Sequence, residues 1–171
     1  MTIQSLRRLL FATLFVATLA LVPGCGGGKI PGLVPLQGVV EYEGVPLAWA
    51  TLTFAPAPRE KDAPAPAVGQ RVATAMTDAQ GAFVARTLGE NGATPGEYVV
   101  TVEKYIAKED GAVEKWEQAR QASGYSEPAP EEDVFNAVSV IPLKYSDKKT
   151  SDLTITVGDK GEKNARFQLS K

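Results

Sequence analysis

Pro95-Gly96-Glu97-Tyr98-Val99-Val100-Thr101-Val102 is a turn signal followed by a β-strand. Proline fixes φ and glycine frees it, so Pro95 and Gly96 redirect the chain. Behind them Tyr98, Val100 and Val102 fall on one face and Val99 and Thr101 on the other, the two-residue period of a pleated strand. A strand with one strongly apolar face needs a second layer to cover it. Tyr98 is expected to pack its ring inward and hold its hydroxyl at the rim.

The same pattern recurs on both sides. Residues 34–42 read as a strand closed by Glu43-Gly44, and residues 50–54 as a second, with Leu52 and Phe54 opposite Thr51 and Thr53. Residues 71–77 and 82–87 read as a hairpin across Asp78-Ala79-Gln80-Gly81. There the Asp78 carboxylate suits the first turn position, where it accepts from backbone amides, and Gly81 takes a positive φ. Residues 97–105 form the fifth strand, and 153–157 and 164–169 flank the turn Gly158-Asp159-Lys160-Gly161, with Phe167 and Leu169 inward. Residues 56–66 are a Pro/Ala-rich loop that cannot donate a regular ladder. Short strands at this spacing predict an all-β fold, a seven-stranded antiparallel Greek-key sandwich.

One segment breaks the pattern, the insertion 106–150 between the fifth and sixth strands. Val113, Trp116 and Ala119-Arg120 recur at spacings of three and four, which predicts a short amphipathic helix over 112–122, ended by Gly124. Residues 126–133, with two prolines and four acids, read as a solvated loop. So small an apolar stripe holds a helix against the sandwich without closing the core, so the insertion is expected to be a satellite of the fold. Long connections of this kind are where function concentrates.

The amino-terminal segment places the protein. Arg7 and Arg8 precede an apolar run over 9–22, and Gly24 is the small residue before Cys25, the only cysteine of the chain. A run of 14 residues makes roughly 21 Å of helix, short of the ~30 Å hydrocarbon core, so a permanent span is not expected. Leu21-Val22-Pro23-Gly24-Cys25 resembles the lipobox of bacterial lipoproteins. That resemblance implies a signal peptide over 1–24 cut after Gly24, a diacylglyceryl group on the Cys25 sulfur, a Gly-rich tether over 25–32 and a domain over 33–171. It also implies an exported protein anchored in the membrane. Gly26 after the cysteine, in place of aspartate, favours by analogy the periplasmic face of the outer membrane where the cell has one. Loss of 1–24 removes Arg7 and Arg8, leaving 16 basic against 20 acidic residues, a balance without the basic stripe a nucleic-acid partner requires.

Gly38-Val39-Val40, the run Gly44 to Phe54, Thr77-Asp78-Ala79-Gln80-Gly81-Ala82-Phe83, the run Pro95 to Val102, and Ile141-Pro142-Leu143-Lys144-Tyr145-Ser146 together resemble small bacterial lipoproteins built on a carboxypeptidase regulatory-like, transthyretin-type β-sandwich. The similarity covers most of residues 33–169. It implies a non-catalytic Greek-key sandwich and leaves the function undefined.

Composition argues against catalysis. The chain contains no histidine, so it builds no Ser-His-Asp triad, no imidazole base and no histidine-bearing zinc site. A lipidated Cys25 is no nucleophile, and Glu131-Glu132-Asp133 reads as a solvated charge run beside prolines. No enzyme activity, cofactor or metal is expected. A Lys-Asn isopeptide crosslink of the adhesin type, with Asn164 on the last strand, lacks its lysine on the first. Aromatics leave a binding function open: Trp49, Trp116 and Tyr125 are the candidate ligand-binding residues, able to stack on a sugar ring or seat in a partner's pocket. For Trp116 the competing role is to pin the insertion helix onto the sandwich. Two functions follow: a lipid-anchored interaction or structural module contacting an envelope protein, or a carbohydrate-binding lipoprotein contacting a glycan.

Overall fold

Three phenylalanines join two sheets. Phe54 comes from one, Phe83 and Phe167 from the other, with ring centroids 5.7, 5.9 and 6.2 Å apart. They lie in a computed structural model that describes residues 30–58, 69–122 and 137–171. The signal segment, Gly24, Cys25, most of the tether, Tyr125 and the 126–133 loop fall outside the described residues.

In chain order the strands are β1 (Leu36–Tyr42), β2 (Val45–Pro46), β3 (Thr51–Pro56), β4 (Ala73–Met76), β5 (Ala82–Val84), β6 (Arg86–Thr87) and β7 (Glu90–Asn91). Then follow β8 (Gly96–Glu103), β9 (Tyr105–Ala107), helix α1 (Ala112–Gln121), β10 (Ala137–Ser139), β11 (Thr154–Val157) and β12 (Glu162–Leu169). One sheet centres on β1, which pairs with β12, β2 and β5; the other runs β11-β8-β3-β4-β6-β7, and β9 pairs with β10 alone. Alternation decides which residues face the core: Leu52 and Phe54 of β3, Tyr98, Val100 and Val102 of β8, and Ala165, Phe167 and Leu169 of β12 are all buried. The fold is an all-β sandwich, as the periodicity predicts.

Three details depart from the sequence reading. β1 and β12 run parallel, where every other pair is antiparallel. The close approach depends on Gly38, because a Cβ there would strike the Ala165 carbonyl. Residues 71–77 and 82–87 are not a simple hairpin: β5 pairs with β1, and only beyond buried Ala85 does the chain join β4, through Arg86 opposite Thr74. The Asp78–Gly81 turn therefore leads the chain from one sheet to the other. The fifth strand is also divided, at Lys104, into β8 and β9.

The insertion is only partly a satellite. Helix α1 forms where the 3–4 spacing predicts it and adds Trp116 to the core, and Val140, Ile141 and Tyr145 beyond it belong to the core as well, with Tyr145 on a 3-10 turn (Leu143–Tyr145). The Tyr145 hydroxyl receives the Ser170 amide at 3.0 Å and donates to the Ser170 carbonyl at 3.2 Å, so this segment ties down the chain beyond β12.

The sandwich has two unlike ends. At the entry end the Ile30 amide donates to the Glu90 carboxylate (3.2 and 3.3 Å) and Val34 bridges Ala93. The β6–β7 hairpin and the Gly158–Gly161 turn lie at this end, the latter through Glu162 N donating to Pro35 O. At the far end, one β1 length away, are the Glu43-Gly44 turn, the 47–50 turn, the Asp78–Gly81 turn, α1 and Lys171.

Candidate functional site

The far end is built around a turn that the backbone would not adopt unaided. Trp49 has φ 54°, a left-handed conformation that a bulky L-residue avoids, and its side chain is half-buried. Residues 47–50 lie in a tight turn held from outside. Thr77 Oγ1 donates to Leu47 O at 2.7 Å and accepts from Ala50 N at 2.8 Å, and Thr77 N donates to Ala50 O at 2.9 Å. Thr77 is 1 % exposed, so these bonds are shielded from water. Nothing in the sequence singles Thr77 out, because threonine at a strand end is ordinary.

Asp78 and Gly81 continue this brace. Asp78 Oδ1 accepts from Gln80 N (2.8 Å) and Ala82 N (2.9 Å), and Gly81 N donates to Asp78 O. Gly81 has φ 72°, and a Cβ there would lie 2.6 Å from the Val40 carbonyl and 3.1 Å from Leu47 N. The 47–50 and Asp78–Gly81 turns are thus wedged together. Gly96, next to Pro95, opens β8 at the entry end with φ 141° against the Gln70 side chain. Tyr98 behind it is fully buried, its hydroxyl donating to Thr94 O at 2.7 Å.

Trp116 is 6 % exposed and stacks on Tyr42 at 6.3 Å, so its ring offers no open platform to a sugar. One turn later on the same helix face, Arg120 places its guanidinium 4.9 Å from the Tyr42 ring and 5.3 Å from Trp116, and donates Nη1 to Tyr42 O at 2.8 Å. Its Nε is buried without a hydrogen-bond partner. Lys171 closes the edge, its amide donating to Glu43 at 2.7 Å and its ammonium 3.3 Å from Glu117. Burial raises the Tyr42 phenol above its ordinary value, opposed by Lys171. Burial also pushes the Tyr145 hydroxyl up, but the Ser170 and Lys144 hydrogen bonds together with the Lys144 charge outweigh it and bring it below its ordinary value. Trp49 and Trp116 stand at the same end of the sandwich, the first half-buried on its turn and the second packed on Tyr42.

Sequence reasoning overlooked Lys104, which is 2 % exposed. The signal was present, since residue 104 continues the inward parity of Tyr98, Val100 and Val102. Its backbone carbonyl accepts from Val140 N at 3.1 Å, docking the returning chain onto the break between β8 and β9.

Among the described residues no group of three or more His, Cys, Asp or Glu is placed to hold a metal ion, and no helix is long and apolar enough to cross a membrane. Comparisons with protein-family models, curated proteins and solved structures gave no match.

Proposed function

We propose that this protein is a lipid-anchored module of the bacterial cell envelope, non-catalytic, which holds its far end toward an envelope partner. Cys25 after an n-region and a short apolar run supports the anchor, and the resemblance to carboxypeptidase regulatory-like lipoproteins supports the same setting. The observation that carries the orientation is the opposition of the two ends. Ile30, five residues after Cys25, is fixed to Glu90 at the entry end, while the Trp49 turn and α1 sit at the other. A module tethered at one pole presents the opposite pole, and here that pole carries a half-buried tryptophan on a strained, braced turn. Such strain persists only where the surrounding structure enforces it.

A carbohydrate-binding role is the weaker alternative, since Trp116 is packed on Tyr42 and closed to a sugar ring. The test is a photoreactive phenylalanine analogue at Trp49, or at exposed Lys160 of the entry-end turn, in intact cells. A discrete protein adduct from position 49 and none from 160 is expected. A glycan adduct at 49 would favour the alternative, and equal labelling from both positions would remove the oriented reading.

A further inference from the structure

The hairpin β6–β7 ends on Leu88-Gly89, both at positive φ (50° and 90°), positions that ordinarily favour glycine or asparagine. Leu88 is 77 % exposed, more than any other large apolar side chain described. The hairpin thus displays leucine where its own backbone disfavours it. Around it stand Ile30, Leu33 and Val34, half-buried, with Pro31 and Pro35 exposed, and Gly92 packs its backbone against Val34 and Leu33. The hairpin's single acid, Glu90, is turned onto the Ile30 amide, and Arg86 is held by Asn91 at 3.1 Å.

The chain before Ile30 sets how far this collar stands from a bilayer. Four residues lie between Cys25 and Ile30, and the five steps of chain reach at most about 18 Å when fully extended. Interfacial side chains need to sink only ~5–10 Å into the headgroup and acyl boundary. We infer that the entry end is a membrane-resting face, with Leu88 seated in the lipid interface and the Ile30–Pro35 collar beside it. This rests on the lipid-anchor reading of Cys25. The short tether, the apolar collar and the outward leucine on unfavourable backbone all point to the same occupant, the surface of the bilayer that holds the anchor.

The experiment uses the lipidated protein purified from membranes. The Cys25 sulfur is then a thioether, so Leu88→Cys supplies the one reactive thiol for an environment-sensitive fluorophore; Leu143→Cys, exposed at the far end, is the reference. Both are reconstituted into phosphatidylethanolamine and phosphatidylglycerol vesicles with brominated acyl chains. Severalfold stronger quenching at 88 than at 143 is the expected result. Equal quenching at the two positions, with lipid on Cys25 verified by mass, overturns the inference and leaves the anchor intact. Absence of lipid on Cys25 overturns both.

Discussion

Thr77 Oγ1 lies 2.8 Å from the amide of Ala50 and in that position stands in for the bond that would close the turn beneath Trp49. The same oxygen donates to Leu47 O, so one hydroxyl satisfies both ends of the turn in a dry site. Thr77→Val keeps the shape and strands a buried donor and a buried acceptor. Each is worth ~1–3 kcal/mol when left unpaired, so a loss of about 2–4 kcal/mol in denaturant unfolding is expected, with Thr77→Ser recovering most of it. An unchanged midpoint would mean that the turn closes without the brace.

Gly81 and Gly44 separate two ways in which a side chain can be excluded. Both have left-handed φ, 72° and 76°, but only Gly81 faces neighbours, with the Val40 carbonyl 2.6 Å from a Cβ. Gly44→Ala therefore costs about 1–2 kcal/mol of backbone strain. Gly81→Val adds a collision with β1 and costs about 3 kcal/mol or more. Thermal melts of both variants check the order, and equal losses would refute the wedge between the turns.

The two halves of the insertion respond differently. Replacing residues 107–133 by a short Gly/Ser linker removes α1 with Trp116 and uncovers Tyr42, yet leaves the rest of the core, Val140, Ile141 and Tyr145 included. NMR dispersion should survive, and a molten spectrum would mean that the core does not hold without α1. Tyr145→Phe, by contrast, deletes both Ser170 bonds and lowers stability by about 1–2 kcal/mol.

Strand positions were legible in the sequence because two-residue alternation is a local signal: Tyr98, Val100 and Val102 mark their face without reference to any partner. Pairing was not. Whether 82–87 lies beside 71–77 or crosses between sheets is decided by Ala85, a small residue that reads alike in either case. The parallel β1–β12 pair depends on Gly38 meeting Ala165, a contact far apart in sequence. At the far end, 3–4 spacing found α1 and Trp116, whereas the bracing role of Thr77 and the left-handed Trp49 arise only from tertiary contacts.

Alkaline titration followed by phenolate absorbance should place Tyr145 before Tyr42. Tyr145 lies below and Tyr42 above the ordinary 10.0. The linkage has opposite signs. Tyr42 keeps its proton longer in the folded state, so its contribution is full below 10.0 and is lost as pH rises through its raised value. Tyr145 releases its proton earlier when folded, so its contribution grows as pH rises from its lowered value to 10.0 and persists above it. Tyr145→Phe should remove a phase below 10.0, and an unaltered titration there would contradict the lowered value.

On the proposed reading, Cys25 anchors the domain through its lipid. Intact mass and N-terminal peptide analysis of the protein from membranes, beside the fractionation of Cys25→Ala at high salt, tests it directly. Lipid contributes ~0.8 kcal/mol per buried CH₂, so two or more chains dominate partitioning. The expected result is a mature chain that begins at Cys25 with acyl chains on it, and a folded Cys25→Ala domain released from the membrane. A free thiol at Cys25, or a Cys25→Ala protein that remains with the membrane as the parent does, would contradict it.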